Sequence, residues 1–201
     1  MRITREQADG NRARIVETAA ALFREKGFDG ISVAELMRAA GLTHGGFYNH
    51  FESKDALEAA ACAEVFDKSL ANVGAVAAIA DPAERAQAFD AYRRRYVSKK
   101  ARDASAARCP MVAFAGDVSR QSPSLRAEYA AGLRQYLDAF TRAAASGKER
   151  GRKRDARRQA LADFAMLAGA LTLARSVADA DPKLSDEILE AAAAAVDAPA
   201  R

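Results

Sequence analysis

Between Gly41 and Phe51 the chain reads GLTHGGFYNHF. This stretch holds a hydroxyl at Thr43, imidazoles at His44 and His50, a phenol at Tyr48, an amide at Asn49 and a bare Gly45-Gly46 pair, with no carboxylate. Such a set gives and takes hydrogen bonds and leaves the backbone within reach of a partner. Set on a helix at about 100° per residue, Phe47 and Phe51 share one face. Gly45 and Asn49 lie opposite, flanked by Gly46 and Tyr48. A solvated face would carry Lys and Glu; this one is short of side-chain bulk and suited to lying against something. With Thr43 as N-cap and Leu42 and Phe47 as a hydrophobic staple, the two glycines fall at N2 and N3. Their amides then count among the unpaired donors of a helix start, where the dipole favours an anion and missing side chains let a phosphate or a base edge come close.

Other chemistries fit less well. His44 and His50 are six apart, not at the spacing of a helical metal pair, so no metal is expected. There is no nucleophile elbow, no HExxH and no Gly-rich phosphate loop, so no catalytic residue and no cofactor are expected. Lys54 opens the following helix, where its charge opposes the dipole, which argues for a functional reason.

The elements that position this stretch are helical. RARIVETAAALFREKGF carries Ile15, Ala19, Leu22 and Phe23 at helical spacing, with Gly27 as its stop. ISVAELMRAAG follows, with Ser32 and Glu35 as a capping box, Ile31 to staple onto Leu36, and Gly41 as its stop. After the quoted stretch, Ser53 caps a long helix. Asp81-Pro82 opens another, to about Arg102. Cys109-Pro110 and Ser122-Pro123 open two more, the second to about Ser146. A polar 147–155 loop precedes helices over about 155–178 and about 185–196, the last capped by Ser185. The expected fold is all-α, with about nine helices.

Composition agrees. Half of the 201 residues are apolar, Ala and Leu dominate, and Pro is rare. No stretch approaches 18 uninterrupted apolar residues, so no membrane span is expected, and the N-terminus lacks a secretory h-region. The two cysteines, Cys62 and Cys109, do not make a disulfide framework, and a reducing cytoplasm is the natural compartment. The formal charge is +4, but up to residue 60 there are eight Lys/Arg against nine Asp/Glu. The positive excess lies in 93–102 and 147–158. Binding to a polyanion would therefore rest on a local patch, not on overall charge.

Two short helices joined by GLT, the second with a contact-ready face, read as a helix-turn-helix. RARIVETAAALFREKGFDGISVAELMRAAGLTHGGFYNHFESKDAL resembles the DNA-binding domain of the TetR/AcrR family of bacterial transcriptional repressors, with GGFYNHFESKDAL as the most specific part. The resemblance covers about residues 12–60. It implies phosphate contacts from Ser32, Thr43, Tyr48, His50 and Lys54, and base contacts from Arg38, His44, Gly45, Gly46 and Asn49. Family members often have a larger residue at Gly46, so specificity would rest on His44, Asn49 and DNA shape.

The same resemblance implies a helix-turn-helix domain over 1–52 and a ligand-binding and dimerisation domain over 53–201, acting as a homodimer on a pseudo-palindromic operator. The middle helices carry Phe66, Phe89, Tyr92, Tyr96, Met111, Phe114, Tyr129, Tyr136 and Phe140, which as a group could line an apolar effector cavity. Cys109, before Pro110 and after Arg108, stands where a thiolate is favoured and is a candidate sensor of electrophiles or oxidants. Cys62 reads as packing. Leu161, Phe164, Leu167, Ala168 and Leu171, with Ile188 and Ala192, make apolar stripes expected to form the dimer interface. The expected function is a ligand-responsive repressor. The competing readings are a small helical enzyme and a DNA-binding protein without a ligand.

Overall fold

The computed structural model describes residues 4–104, 109–145 and 153–198, and it is all-α. Its elements are α1 (Arg5–Lys26), α2 (Val33–Ala39), a 3₁₀ helix (His44–Asn49), α3 (Lys54–Ala77), α4 (Pro82–Tyr96), α5 (Lys99–Asp103), α6 (Pro110–Val118), α7 (Pro123–Ala144), α8 (Lys153–Val177) and α9 (Pro182–Asp197).

The ends of these helices follow from side chains that satisfy the first backbone amides. Ser32 accepts from the Glu35 amide at 3.3 Å, and the Glu35 carboxylate accepts from the Ser32 amide at 2.9 Å. That bonding to Ser32 holds the Glu35 carboxyl below the usual carboxylate range. Asp81 and Asp181 cap α4 and α9, each followed by Pro at the first helical position. After α1 and α2 the chain turns through Gly27 and Gly41, with φ of +76° and +72°, a region that L side chains rarely adopt.

Four boundaries depart from expectation, each for a local reason. α1 starts at Arg5, not at Arg12, because Thr4 and Gln7 form a capping box of their own. The helix expected to run to Arg102 breaks at Val97, where Ser98 caps the separate α5 through the Ala101 amide at 3.1 Å. Ser185 does not cap α9. Asp181 does, and the buried Ser185 hydroxyl donates to the Ala174 carbonyl at 2.8 Å. The stretch expected as an α-helix after Gly41 is a single 3₁₀ segment. The sequence-expected loop at 147–155 lies largely outside the described residues.

The chain forms two compact units. One comprises residues 1–68 and 109–133, the other 69–108 and 134–201, so the first is larger than the expected 1–52 segment and includes α6. In the first unit, α1 packs on α2 and α2 on the 3₁₀ segment, and Ile15, Ala19 and Phe23 of α1, Leu36 and Met37 of α2, and Phe47 and Phe51 are all buried. Phe28, in the α1–α2 loop, lies between Phe23 (ring centroids 5.2 Å apart) and Phe114 of α6 (4.7 Å). In the second unit the aromatic side chains of α4, α7 and α8 pack on one another: Phe89 on Phe140 at 4.8 Å, Tyr136 on Phe164 at 5.1 Å. The Tyr92 and Tyr136 hydroxyls meet at 2.5 Å inside this cluster, which satisfies two phenols that burial would otherwise penalise.

Among the described residues one helix, α8, is long and apolar enough to cross a membrane by length and composition. Its Phe164, Leu167, Leu171 and Ala174 are buried in the second unit, which accounts for one side of its apolar surface.

Candidate nucleic-acid interface

The 3₁₀ segment is anchored from behind. Phe47 and Phe51 are buried, their rings stacked at 5.8 Å, and the Phe51 amide donates to the Phe47 carbonyl at 3.0 Å. Tyr48 stands edge-on to Phe47 at 5.2 Å and is 69 % exposed. A 3₁₀ helix turns by about 120° per residue, so the grouping of faces differs from that of an α-helix. Gly45 and Tyr48 share one side, Gly46 and Asn49 a second, and His44, Phe47 and His50 the third, of which Phe47 is buried. Thr43, His44, Gly45, Tyr48 and Asn49 are exposed; Gly46 and His50 are half-buried.

This geometry amends the picture of two bare amides. Thr43 has the extended backbone of an N-cap, but its side chain makes no cap hydrogen bond. The Gly46 amide donates to the Thr43 carbonyl at 3.0 Å and is not an unpaired donor. The two glycines also differ in clearance. A Cβ on Gly45 would meet nothing within 4 Å, whereas one on Gly46 would sit 3.7 Å from Thr43 Oγ1 and 3.8 Å from Met37 Cε. Open space therefore belongs to Gly45.

Ser32 and Arg38 are exposed on α2. Lys54 is committed within the unit: its ammonium donates to the Phe28 carbonyl at 2.6 Å, pairs with Glu58 at 3.3 Å and lies 5.9 Å from the centre of the Phe23 ring. The dipole argument for an outside partner is thus answered from inside. Glu58 is almost fully buried, and burial raises its carboxyl above the usual range while Lys54 pulls the other way. The sequence reading missed Arg12. Its guanidinium carbon lies 4.8 Å from the centre of the Phe51 ring. The signal was available, because Arg12 precedes Val16, Ala19 and Phe23 at helical spacing.

The expected effector residues divide between the two units. In the first, Phe66 meets Tyr129 edge-on at 5.4 Å, the Tyr129 hydroxyl donates to the Met111 carbonyl at 3.5 Å, and Cys109 Sγ is 3.9 Å from Met111 Sδ. Burial, with lesser effects from Cys109 and Cys62, pushes the Tyr129 phenol up to about 12. Phe66 needs a bare neighbour, since a Cβ on Gly132 would come within 2.4 Å of its ring. Cys109 is half-buried at the start of α6; Arg108, invoked beside it, lies outside the described residues. Cys62 is buried, its thiol pushed up to about 12 mainly by burial. Phe89, Tyr92, Tyr96, Tyr136 and Phe140 lie in the second unit, buried against one another and against Phe164.

The expected dimer stripe also needs correction. Phe164, Leu167, Leu171 and Ala192 are buried in the second unit and occupied by its own core. Ala168 and Ile188 are half-buried. The uncovered apolar surface is instead Leu161 (39 % exposed) and Leu173 (58 %) on α8, with Leu184 (41 %) on α9. The basic run 93–102 is largely neutralised within this unit. Arg94 pairs with Asp197 at 2.6 Å, Lys99 with Asp186 at 2.6 Å, and Arg102 with Asp186 at 2.7 Å. In the later run, Arg157 pairs with Asp138 at 2.6 Å.

Residues 15–61 match the family model described as bacterial regulatory proteins, tetR family. The chain is 28 % identical over 156 residues to the HTH-type transcriptional repressor DhaR of Mycobacterium sp. (strain GP1), covering 76 % of this chain and 75 % of that protein. Over 73 residues it is 34 % identical to the HTH-type transcriptional regulator AcrR of Shigella flexneri, 36 % of this chain and 32 % of AcrR. A TetR transcriptional regulator from Chloroflexus aurantiacus J-10-FL superposes with a TM-score of 0.73 at 28 % identity, over 95 % of this chain and 94 % of that one. The reduced form of E. coli NemR superposes with a TM-score of 0.75 at 22 % identity, over 93 % and 95 %.

Proposed function

Because the chain belongs to the TetR/AcrR family of DNA-binding transcriptional regulators, we propose that it is a cytoplasmic homodimeric repressor that binds a pseudo-palindromic operator and leaves it when a small apolar or electrophilic effector binds. The observation that carries the reading is the exposed, carboxylate-free surface of Thr43, His44, Gly45, Tyr48 and Asn49, fixed from behind by Phe47 and Phe51. In this reading Thr43, Tyr48, His50 and Ser32 hold phosphates. His44, Asn49 and Arg38 read base edges, and Gly45 lets the backbone approach the duplex. Lys54 serves chiefly to tie the start of α3 to Phe28.

A route from effector to DNA is supported by the first unit. Cys109, Met111 and Phe114 all belong to the start and inner side of α6, and Phe114 packs on Phe28 of the α1–α2 loop at 4.7 Å. An effector lodged beside Phe66, Met111 and Tyr129, or bonded to Cys109, would bias where α6 lies and so what Phe28 and α1 rest on. Footprinting on the DNA flanking the protein's own gene, with and without a panel of apolar and electrophilic compounds, tests this. A protected two-fold site that is lost with one compound supports the proposal. Absence of any protected site overturns it, and protection that no compound alters removes the effector.

A further inference from the structure

α1 brings a cation to the same surface. Arg5, Arg12, Val16, Ala19 and Phe23 fall at i, i+7, i+11, i+14 and i+18, one stripe of the helix. From Val16 onward the stripe is buried core. At Arg12 the core ends and the stripe turns charged, with Asp9 and Arg5 on the same face beyond it. The Arg12 guanidinium lies over Phe51, 4.8 Å from the ring centre, and Phe51 is itself buried and stacked on Phe47. The residue is exposed.

Among the described residues no carboxylate takes up its charge. Asp9 and Glu17 are the acidic residues closest to Arg12 in sequence, and Glu52 and Asp55 the closest to Phe51, yet none forms an ion pair with Arg12, and no other described carboxylate does so. Two other arginines of α1 are occupied: Arg14 bonds Asn11 Oδ1, and Arg24 donates to the Ala20 carbonyl at 2.8 Å. A guanidinium lying on a ring keeps its N–H edges free in its own plane, the arrangement that suits a phosphate. Phe51 closes the segment that carries Tyr48, Asn49 and His50, so the charge is held at the edge of the surface where no carboxylate intervenes between Gly41 and Phe51.

We propose that Arg12 makes a DNA-phosphate contact from α1, positioned by the Phe51 ring, when the Thr43–His50 surface lies on a duplex. The contact rests on the DNA-binding reading above, and it adds affinity without sequence preference. Affinity for a mixed-sequence duplex, measured against KCl concentration for the parent, R12Q and R12K, tests it. In R12Q the slope of log affinity on log salt falls by about 0.9 per subunit, and a melting temperature near the parent's shows the fold intact. R12K keeps the charge but loses the planar stack, so it holds the parental slope with weaker binding. An R12Q protein with the parental slope overturns the inference, even if its overall affinity drops. A parent that shows no salt-dependent duplex binding removes the DNA-binding reading itself, a different and separable failure.

Discussion

Gly45 carries the clearest consequence at the scale of single residues. Nothing lies within 4 Å of where its Cβ would be, and its φ is not in the left-handed region, so the fold has no need of a glycine there. A partner does. Gly45→Leu should melt at or slightly above the parent temperature, since replacing glycine in a helical segment recovers about 0.5–1 kcal/mol. Duplex affinity should fall at least tenfold, because the leucine stands where the backbone must approach DNA. Parental affinity in that variant would refute the clearance argument. Gly46 is the poorer test, because a large side chain there runs into Met37 and Thr43. Glu58 gives a second prediction, with a sign that can be worked out. Burial raises its carboxyl in the folded protein. The folded state then binds a proton more readily than the unfolded one, so the ionised group costs stability at neutral pH, and the cost disappears as pH falls through the raised value toward the ordinary one. Glu58→Gln should therefore have a higher urea midpoint than the parent at pH 7, with the gap closing by pH 4.5. A parent that is the more stable at pH 7, with no pH trend, would show that the Lys54 pair dominates.

At the scale of elements, what could be read in the chain were the places where one local rule decides. Ser32 with Glu35, Asp81 with Pro82, and the stops at Gly27 and Gly41 each bring their own partner within four residues, and the helices begin and end there. Boundaries that depend on competition between rules were not readable. Ser185 and Asp181 both have N-cap chemistry. Asp181 wins because Ser185 faces inward, bonding Ala174 and accepting from Arg102 at 2.9 Å, a contact 83 residues away in sequence. The break at Val97 likewise needs Ser98 to outbid continuation of α4. The 3₁₀ pitch of His44–Asn49 has a similar origin. Six residues between two fixed ends must bury both Phe47 and Phe51, and two glycines supply no propensity to hold an α pitch. The site was therefore readable in composition but not in its grouping of faces. Thr43, His44, Tyr48 and Asn49 could be named as polar surface positions, while the inward turn of Lys54 could not, and Arg12 went unnoticed because a helix start was placed at the residue that the real helix only passes through.

The whole molecule raises the question of what covers α8 and α9. The stripe expected on α8 and α9 is mostly core, with Leu161 its exposed member. The largest apolar residues of α8, Phe164, Leu167 and Leu171, are claimed by the core, which a stripe drawn on one helix cannot reveal. What remains is a ridge of exposed Leu161, Ala165 and Leu173 with the half-buried Gly169, at four-residue spacing, the kind that interdigitates with a second helix. Leu184 of α9 is also exposed. Two copies meeting through these faces about a two-fold axis would bury each leucine twice, once per subunit. Leu173 is the decisive position, since at 58 % exposure it gives little to its own unit. Leu173→Glu should leave the melting of the isolated subunit close to the parent's while weakening the proposed dimer. Covering a leucine is worth about 1.5–3 kcal/mol, and symmetry doubles it, so the dimer dissociation constant in sedimentation should rise roughly 100-fold or more. Operator affinity should fall with it, while binding to mixed-sequence DNA by each subunit persists. Phe164→Glu should instead unfold the second unit, because that ring contacts Tyr96, Tyr136 and Phe140. A Leu173→Glu protein that sediments as the parent does at every concentration would place the dimer, if one forms, on another surface.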